Sequence, residues 1–265
     1  VADALDRGEP AALVTIVSTT GSTPQRVGAK MLVFTDGRSV GTIGGGCYEN
    51  DAAGKARLVL ASGRPQLLQY ELNDDFAEES GLICGGRMDV FIEPVAPPPD
   101  LYVVGAGHVG FHLARVAAPL GYRLHVIDDR AAFANAERFP DAAEVVVDDI
   151  PAWLAQATFP RGSHVVVVTR GHRHDLEAVR ALATRELAYL GLIGSRAKIA
   201  RIFDALVEEG TPVEALRRIH APIGLDIGAE LPASIALSVA AEIHAALNQR
   251  DGRSLTQRTD EQRRD

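Results

Sequence analysis

The stretch Val103-Val104-Gly105-Ala106-Gly107-His108-Val109-Gly110 decides the fold. An apolar strand runs directly into a G-x-G-x-x-G turn and then into a helical pattern. Each glycine has a use there: one allows the tight turn, one lets the backbone come close to a phosphate, and one lets helix and strand pack. The helix start adds unpaired N–H groups and a partial positive charge. Asp128 and Asp129 end the next expected strand, about 20 residues on, where a dinucleotide fold binds a ribose hydroxyl. Arg130 leaves open whether a 2′-hydroxyl or a 2′-phosphate is read. Taken alone, the glycines are equally readable as a tight turn with no ligand. The following aspartates favour a crevice for a nucleotide or phosphate.

Outward from that turn the chain alternates regularly. Strands are expected at 101–104, 124–127, 144–147, 164–168 and 189–193, with helices running to about residue 120 and over 152–157, 176–184 and 196–209. In the helix over 196–209, Ile199, Ile202, Phe203, Leu206 and Val207 recur at core-facing spacing, and Gly210 stops it. Pro232 opens a last helix. Strands alternating with helices of this length form βαβ units around a parallel sheet. Ligands in such sheets sit beyond the carboxyl ends of the strands. The segments Thr169-Arg170-Gly171-His172-Arg173-His174-Asp175 and Ile193-Gly194-Ser195-Arg196 therefore point into the crevice of residues 105–110. Arg170 and Arg196 suit a phosphate. His172 and His174 lack the further soft or acidic partners of a metal site and read as hydrogen-bonding or surface residues.

Before this unit stands Ala96-Pro97-Pro98-Pro99-Asp100, a stiff extended spacer. It divides the chain into a small α+β domain (1–96), a linker (97–100) and a Rossmann-like, doubly wound parallel-sheet domain (101–248). The polar stretch 249–265 is expected to be a disordered tail. In the first domain, strands are expected at 11–18, 31–34, 40–43, 67–72 and 88–92, with an Asp36-Gly37 hairpin turn and a helix over 47–61. Gly44-Gly45-Gly46 precedes Cys47 at the start of that helix, and Cys84 precedes Gly85-Gly86. A thiol at a helix start is placed to hold a soft metal or carry sulfur, although Glu49 in the same turn works against the charged form. The two cysteines are also readable as small buried residues in glycine-lined bends.

Composition narrows the function classes. Hydrophobic residues make up 46% and aromatic ones only 5%, which suits aliphatic parallel strands covered by helices. The net charge of −8 argues against nucleic acid, which needs a basic face. Two cysteines are too few for a disulfide framework. That usage, the lack of a spanning apolar run and a start at Val1 without a basic-then-apolar leader give the expectation of a cytoplasmic protein with no membrane partner.

Several strings together resemble the XdhC/CoxI family over nearly the whole chain. Gly41-Thr42-Ile43-Gly44-Gly45-Gly46-Cys47-Tyr48-Glu49 and Cys84-Gly85-Gly86 are similar to the signature of its N-terminal domain. Residues 105–110, Asp128-Asp129-Arg130, Thr169-Arg170-Gly171-His172, Gly194-Ser195-Arg196 and Pro222-Ile223-Gly224-Leu225-Asp226-Ile227-Gly228-Ala229 are similar to its Rossmann domain. One departure is Ala233 after Pro232, where the family usually carries an acidic residue. The resemblance implies a xanthine dehydrogenase accessory protein. Such a protein binds molybdenum cofactor, as molybdopterin or a dinucleotide, and supports its sulfuration by a cysteine desulfurase. It then delivers the cofactor to a molybdenum hydroxylase such as xanthine dehydrogenase. A homodimer is compatible with this. The residues it implies at the cofactor are Gly44, Gly45, Gly46, Cys47, Glu49, Cys84, Gly85, Gly105, Gly107, His108, Gly110, Asp128, Arg130, Arg170, His172, Ser195 and Arg196, with Cys47 and Cys84 as candidates for the metal. Two alternatives remain from the residues alone: an NAD(P)-dependent oxidoreductase with His172 or His174 as proton donor, and an NAD(H)-sensing module.

Overall fold

The computed structural model describes residues 1, 4–5, 8–72 and 86–256. Cys84 and Gly85 lie outside the described residues, as does the end of the expected tail. The chain forms two compact units, Val1–Pro97 and Pro98–Asp265.

In the first unit, strands β1 (Ala11–Thr20), β2 (Lys30–Phe34) and β3 (Ser39–Gly41) precede helix α1 (Gly46–Ser62), and β4 (Gln66–Leu72) and β5 (Gly86–Val95) complete an antiparallel sheet of order β3-β2-β1-β5-β4. Alternation builds its core. Ala12, Val14 and Ile16 of β1 turn to one face, where Met31, Val33, Val90 and Ile92 join them. Ala52, Ala56 and Val59, about one helical turn apart on α1, close that face. The β1–β5 register shifts between Ile16 and Ser18, and Val17 is left exposed.

The second unit is a parallel sheet with helices on both faces. Its strands are β6 (Asp100–Val104), β7 (Arg123–Asp128), β8 (Glu144–Val147), β9 (His164–Val167) and β10 (Tyr189–Leu192), in the order β10-β9-β6-β7-β8. The helices are α2 (His108–Ala117), α3 (Ile150–Gln156), α4 (His172–Leu182), α5 (Arg196–Glu208), α6 (Val213–Arg217) and α7 (Pro232–Leu247). Leu101, Val103, Leu124, Val126 and Val166 face one core with Leu113 of α2 and Val239 of α7. Tyr102, Val104, Ile127, Val165 and Val167 face the other with Leu154, Val179 and Ile202 of α3, α4 and α5. A strand buried on both faces reads as a continuous apolar run, as Leu101–Val104 does. The strand order reverses between β6 and β9, and such a switch point leaves a crevice at the strand ends.

Several boundaries differ from the sequence expectation. Asp100, expected in the linker, is the buried first residue of β6, paired with Arg123 through two contacts of 2.6 and 2.9 Å. Helix α4 starts at His172 rather than near Leu176, so the two histidines lie in its first turn instead of a loop. The short α6 is not expected from the sequence pattern. Residues 249–256, expected within the tail, carry local order: the Arg250 N–H donates to the Ala245 carbonyl at 2.7 Å, and Gly252 packs on Leu225.

Candidate functional site: two glycine turns at two helix starts

The crevice of the second unit is built around residues 105–110. Gly105 has φ +116°, and a Cβ there would lie 2.5 Å from the Val168 carbonyl oxygen at the end of β9. Only glycine permits both the conformation and that approach. A Cβ at Gly110 would lie 2.0 Å from the Gly105 oxygen, so this position is needed for the helix to sit against its own turn. Gly107 differs. Its φ is −66°, which any residue adopts, and a Cβ there would meet nothing within 4 Å. Neither the backbone nor the packing of this unit requires a glycine at 107. Helix α2 begins there without a side-chain cap, so its first N–H groups are left for an outside acceptor. His108, the first helical residue, is exposed.

Asp128 is 2% exposed and fully engaged. One oxygen accepts from the Ala106 N–H at 2.7 Å and the Arg130 Nη2 at 2.8 Å. The other accepts from the Arg130 Nε at 2.7 Å and its N–H at 3.1 Å. Burial acts to raise this carboxyl, but the Arg130 guanidinium and the Ala106 N–H outweigh it and hold the group below its ordinary value. Arg130 also lies 3.8 Å over the Phe133 ring. Asp129 pairs with Arg170 at 3.2 Å, joining the ends of β7 and β9.

Across the crevice, Gly171 begins α4 without a side-chain cap. Beyond β10, Ser195 caps α5 by accepting the Lys198 N–H at 3.3 Å. Arg196 is exposed and has no ion-pair partner among the described residues. Asp175 is fully buried; it accepts the Thr169 hydroxyl at 2.6 Å and pairs with the Lys198 ammonium. This knot ties the starts of α4 and α5 to the end of β9. Sequence reasoning missed Lys198 and gave Asp175 no role. The only available signal was a carboxylate in the first turn of a helix that follows a strand. Farther along, Glu242 of α7 accepts from the Tyr189 hydroxyl at 2.5 Å and the Gly224 N–H at 2.9 Å, and pairs with His220 at 3.4 Å. It thereby anchors the segment 222–229.

The glycine turn of the first unit is built differently. Gly44, Gly45 and Gly46 have φ of 129°, 77° and 73°. The chain curls around Glu49, whose Oε2 accepts from the Thr42 hydroxyl at 2.5 Å, the Ile43 N–H at 2.9 Å and the Gly45 N–H at 3.0 Å. Burial acts to raise the Glu49 carboxyl, and these donors more than reverse it, so the group lies below its ordinary value. The same capture explains why β3 ends at Gly41 instead of running to residue 43. Cys47, second in α1, is half-buried with a free thiol. Among the described residues, no three His, Cys, Asp or Glu side chains gather as a metal site, and no helix is long and apolar enough to cross a membrane.

Residues 101–243 match the XdhC Rossmann domain, and residues 4–71 match the XdhC and CoxI family. The chain is 37% identical to the uncharacterized protein YqeB of Escherichia coli over 92% of its own length, but spans only 44% of YqeB. It is 25% identical to a probable xanthine dehydrogenase subunit of Bacillus subtilis, covering 90% of this chain and 94% of that protein. It is also 25% identical to the molybdenum cofactor insertion chaperone PaoD of E. coli, over 91% of this chain and 85% of PaoD. A crystal structure described as a xanthine dehydrogenase from Bacillus halodurans shares the fold, with TM-score 0.52 and 24% identity over 96% of this chain and 97% of that one.

Proposed function

This chain belongs to the XdhC and CoxI family, and we propose that it is a molybdenum-cofactor accessory protein. It would bind the cofactor, hold it accessible to a cysteine desulfurase for sulfuration, and pass it to a molybdenum hydroxylase of the xanthine dehydrogenase type. The names of two relatives matched over most of their length, a cofactor insertion chaperone and a probable xanthine dehydrogenase subunit, support this.

Among the geometric features, Gly107 carries the reading. A glycine that neither φ nor packing demands, beside an uncapped helix start at the switch point, is explained by a ligand that needs the space. The cofactor carries a phosphate that suits those N–H groups. When bound, it supplies the molybdenum and dithiolene chemistry; the protein's residues bind and orient it. Arg196, with no ion-pair partner among the described residues, is available for a second charge–charge contact. A carrier need not turn over substrate, and the purified protein is expected to show no NAD(P)-linked oxidation of small alcohols or acids.

The test is to denature protein purified from a molybdenum-replete host and identify what is released. Pterin, with molybdenum in comparable amount, is the expected result. Release of nicotinamide dinucleotide without pterin would sink the proposal.

A further inference from the structure

The position where a dinucleotide fold reads the adenosine ribose is already filled by this protein's own side chain. Selection of a ribose diol needs a carboxylate at the end of the second strand with free oxygen lone pairs. Asp128 stands there, but Arg130 grips both of its oxygens and the Ala106 N–H takes one of them. At 2% exposure it has little surface left to offer. Nor is Arg130 loosely held. Its guanidinium lies on Phe133, and Arg138 covers the same ring at 4.9 Å before reaching Phe111 at 5.1 Å. The next carboxylate, Asp129, is drawn toward Arg170 and lies 3.5 Å from the Arg130 Nε. To admit an adenosine, the chain would have to break a planar two-point ion pair around a buried carboxylate and leave that charge without its partner. A 2′-phosphate meets the same obstacle, because the arginine that would greet it is held by Asp128.

We infer that the Asp128–Arg130 pair is a specificity device that excludes NAD(H) and NADP(H), so that the crevice selects a phosphate ester carried by something other than an adenosine ribose. The inference rests on the phosphate site of the proposed function and adds what that site refuses. Asp128 acts here as a positioning residue: it fixes the loop through Ala106 and fixes Arg130 across the ribose position.

Titration calorimetry on the full chain tests this, with inorganic pyrophosphate, NAD+ and NADP+ as probes. Wild type is expected to bind pyrophosphate at least tenfold more tightly than either dinucleotide. Arg130→Met keeps an apolar stem on Phe133 and removes the guanidinium, freeing Asp128. It should shift the NAD+ to pyrophosphate affinity ratio at least tenfold toward NAD+. Adding Asp128→Asn should reverse that shift, which a general loosening of the loop would not do. Thermal melting by circular dichroism establishes that each variant is folded; if Arg130→Met is not, Arg130→Lys keeps the charge, loses the two-point grip and should shift the ratio in the same direction. Wild-type binding of NAD+ or NADP+ as tight as that of pyrophosphate overturns the inference alone. So does an unchanged ratio in the folded variant. No binding of any of the three probes overturns the inference and the phosphate site together.

Discussion

Two glycine-rich turns enter two helix starts in this chain, and each is closed by an internal carboxylate to a different extent. At residues 44–46 the donors of the turn are filled from within: Glu49, one turn into the helix, curls back onto the Thr42 hydroxyl and the Ile43 and Gly45 N–H groups. At residues 105–110 the internal carboxylate, Asp128, takes only the Ala106 N–H; both helices behind the turns start without a side-chain cap. Both turns have the composition of an anion cradle. What separates them is how many of the turn's own donors the internal carboxylate takes.

The largest effects should come from the glycines that hold the second turn together. Gly110→Ala would drive a methyl to 2.0 Å from the Gly105 oxygen, and Gly105→Ala combines φ +116° with a 2.5 Å approach to backbone. Each is expected to lower stability by about 3 kcal/mol, through overpacking against backbone that cannot swing aside. Urea denaturation followed by circular dichroism reads this, with the two units treated as separate transitions if they resolve. A loss below about 0.5 kcal/mol, the range of ordinary surface changes, would mean that the turn is far more pliable than its contacts indicate.

Next in size is the internal anion of the first turn. Glu49→Gln keeps the shape but loses the charge that three donors address, and should cost about 2 kcal/mol, as hydrogen bonds to a charged group do. The pH dependence has a definite sign. The folded Glu49 carboxyl lies below its ordinary value, so its stabilisation is fully present above the unfolded value, about 4.3, and is lost as pH falls through the folded one. The stability gap between wild type and Glu49→Gln should therefore be widest near neutrality and close in acid. A gap that stays constant from pH 7 to pH 3 would show that the carboxylate charge is not what holds the turn.

Third is Gly107→Val. The new side chain meets open space at an ordinary φ, so the stability cost should be limited to the poorer N-cap that valine makes, about 1 kcal/mol. Pyrophosphate affinity should fall by about tenfold or more, equivalent to roughly 1.4 kcal/mol. Equal affinity in calorimetry would remove the second turn from the ligand and erase the contrast between the two turns.

How much of this is legible in the sequence follows from what periodicity can detect. The apolar runs of β6 and β9 and the Gly105–Gly110 spacing announce the parallel sheet and its crevice, because both are written in residues whose chemistry matches their burial. Asp175 is the opposite case. It occupies a position with no exposure in the first turn of α4, and a carboxylate there interrupts the apolar pattern, so the sequence places the helix start at Leu176. Its partner Lys198 lies on another helix, 23 residues away, and pairing across elements leaves no local mark. Glu49 reads in the sequence as a charge beside a thiol and, through the family resemblance, as a cofactor residue; that it closes the turn depends on three consecutive glycines with positive φ, which sequence permits without specifying. Asp128 is legible as a position and not as a state, since the grip of Arg130 is a matter of side-chain geometry.

The smallest effect on the fold, and the sharpest on the contrast, is expected at Cys47. Glu49 already fills the Ile43 and Gly45 N–H groups of the first turn, although α1 itself starts without a side-chain cap. A side chain can also contribute from this turn to the proposed cofactor. Cys47 is the candidate: half-buried, free, and second in α1. A soft thiol matches a molybdenum centre better than the neighbouring carboxylate does, and it can release the metal as well as hold it. Cys47→Ala removes one partly exposed sulfur and should leave thermal stability within about 0.5 kcal/mol of wild type. Pyrophosphate binding at the second turn should be untouched, while molybdenum retained through purification should drop. Metal analysis of the purified complex reads the retention, and calorimetry the phosphate site. If Cys47→Ala retains molybdenum at the wild-type level, the first turn contributes architecture only, and the internal anion at Glu49 is a structural device with no ligand beside it.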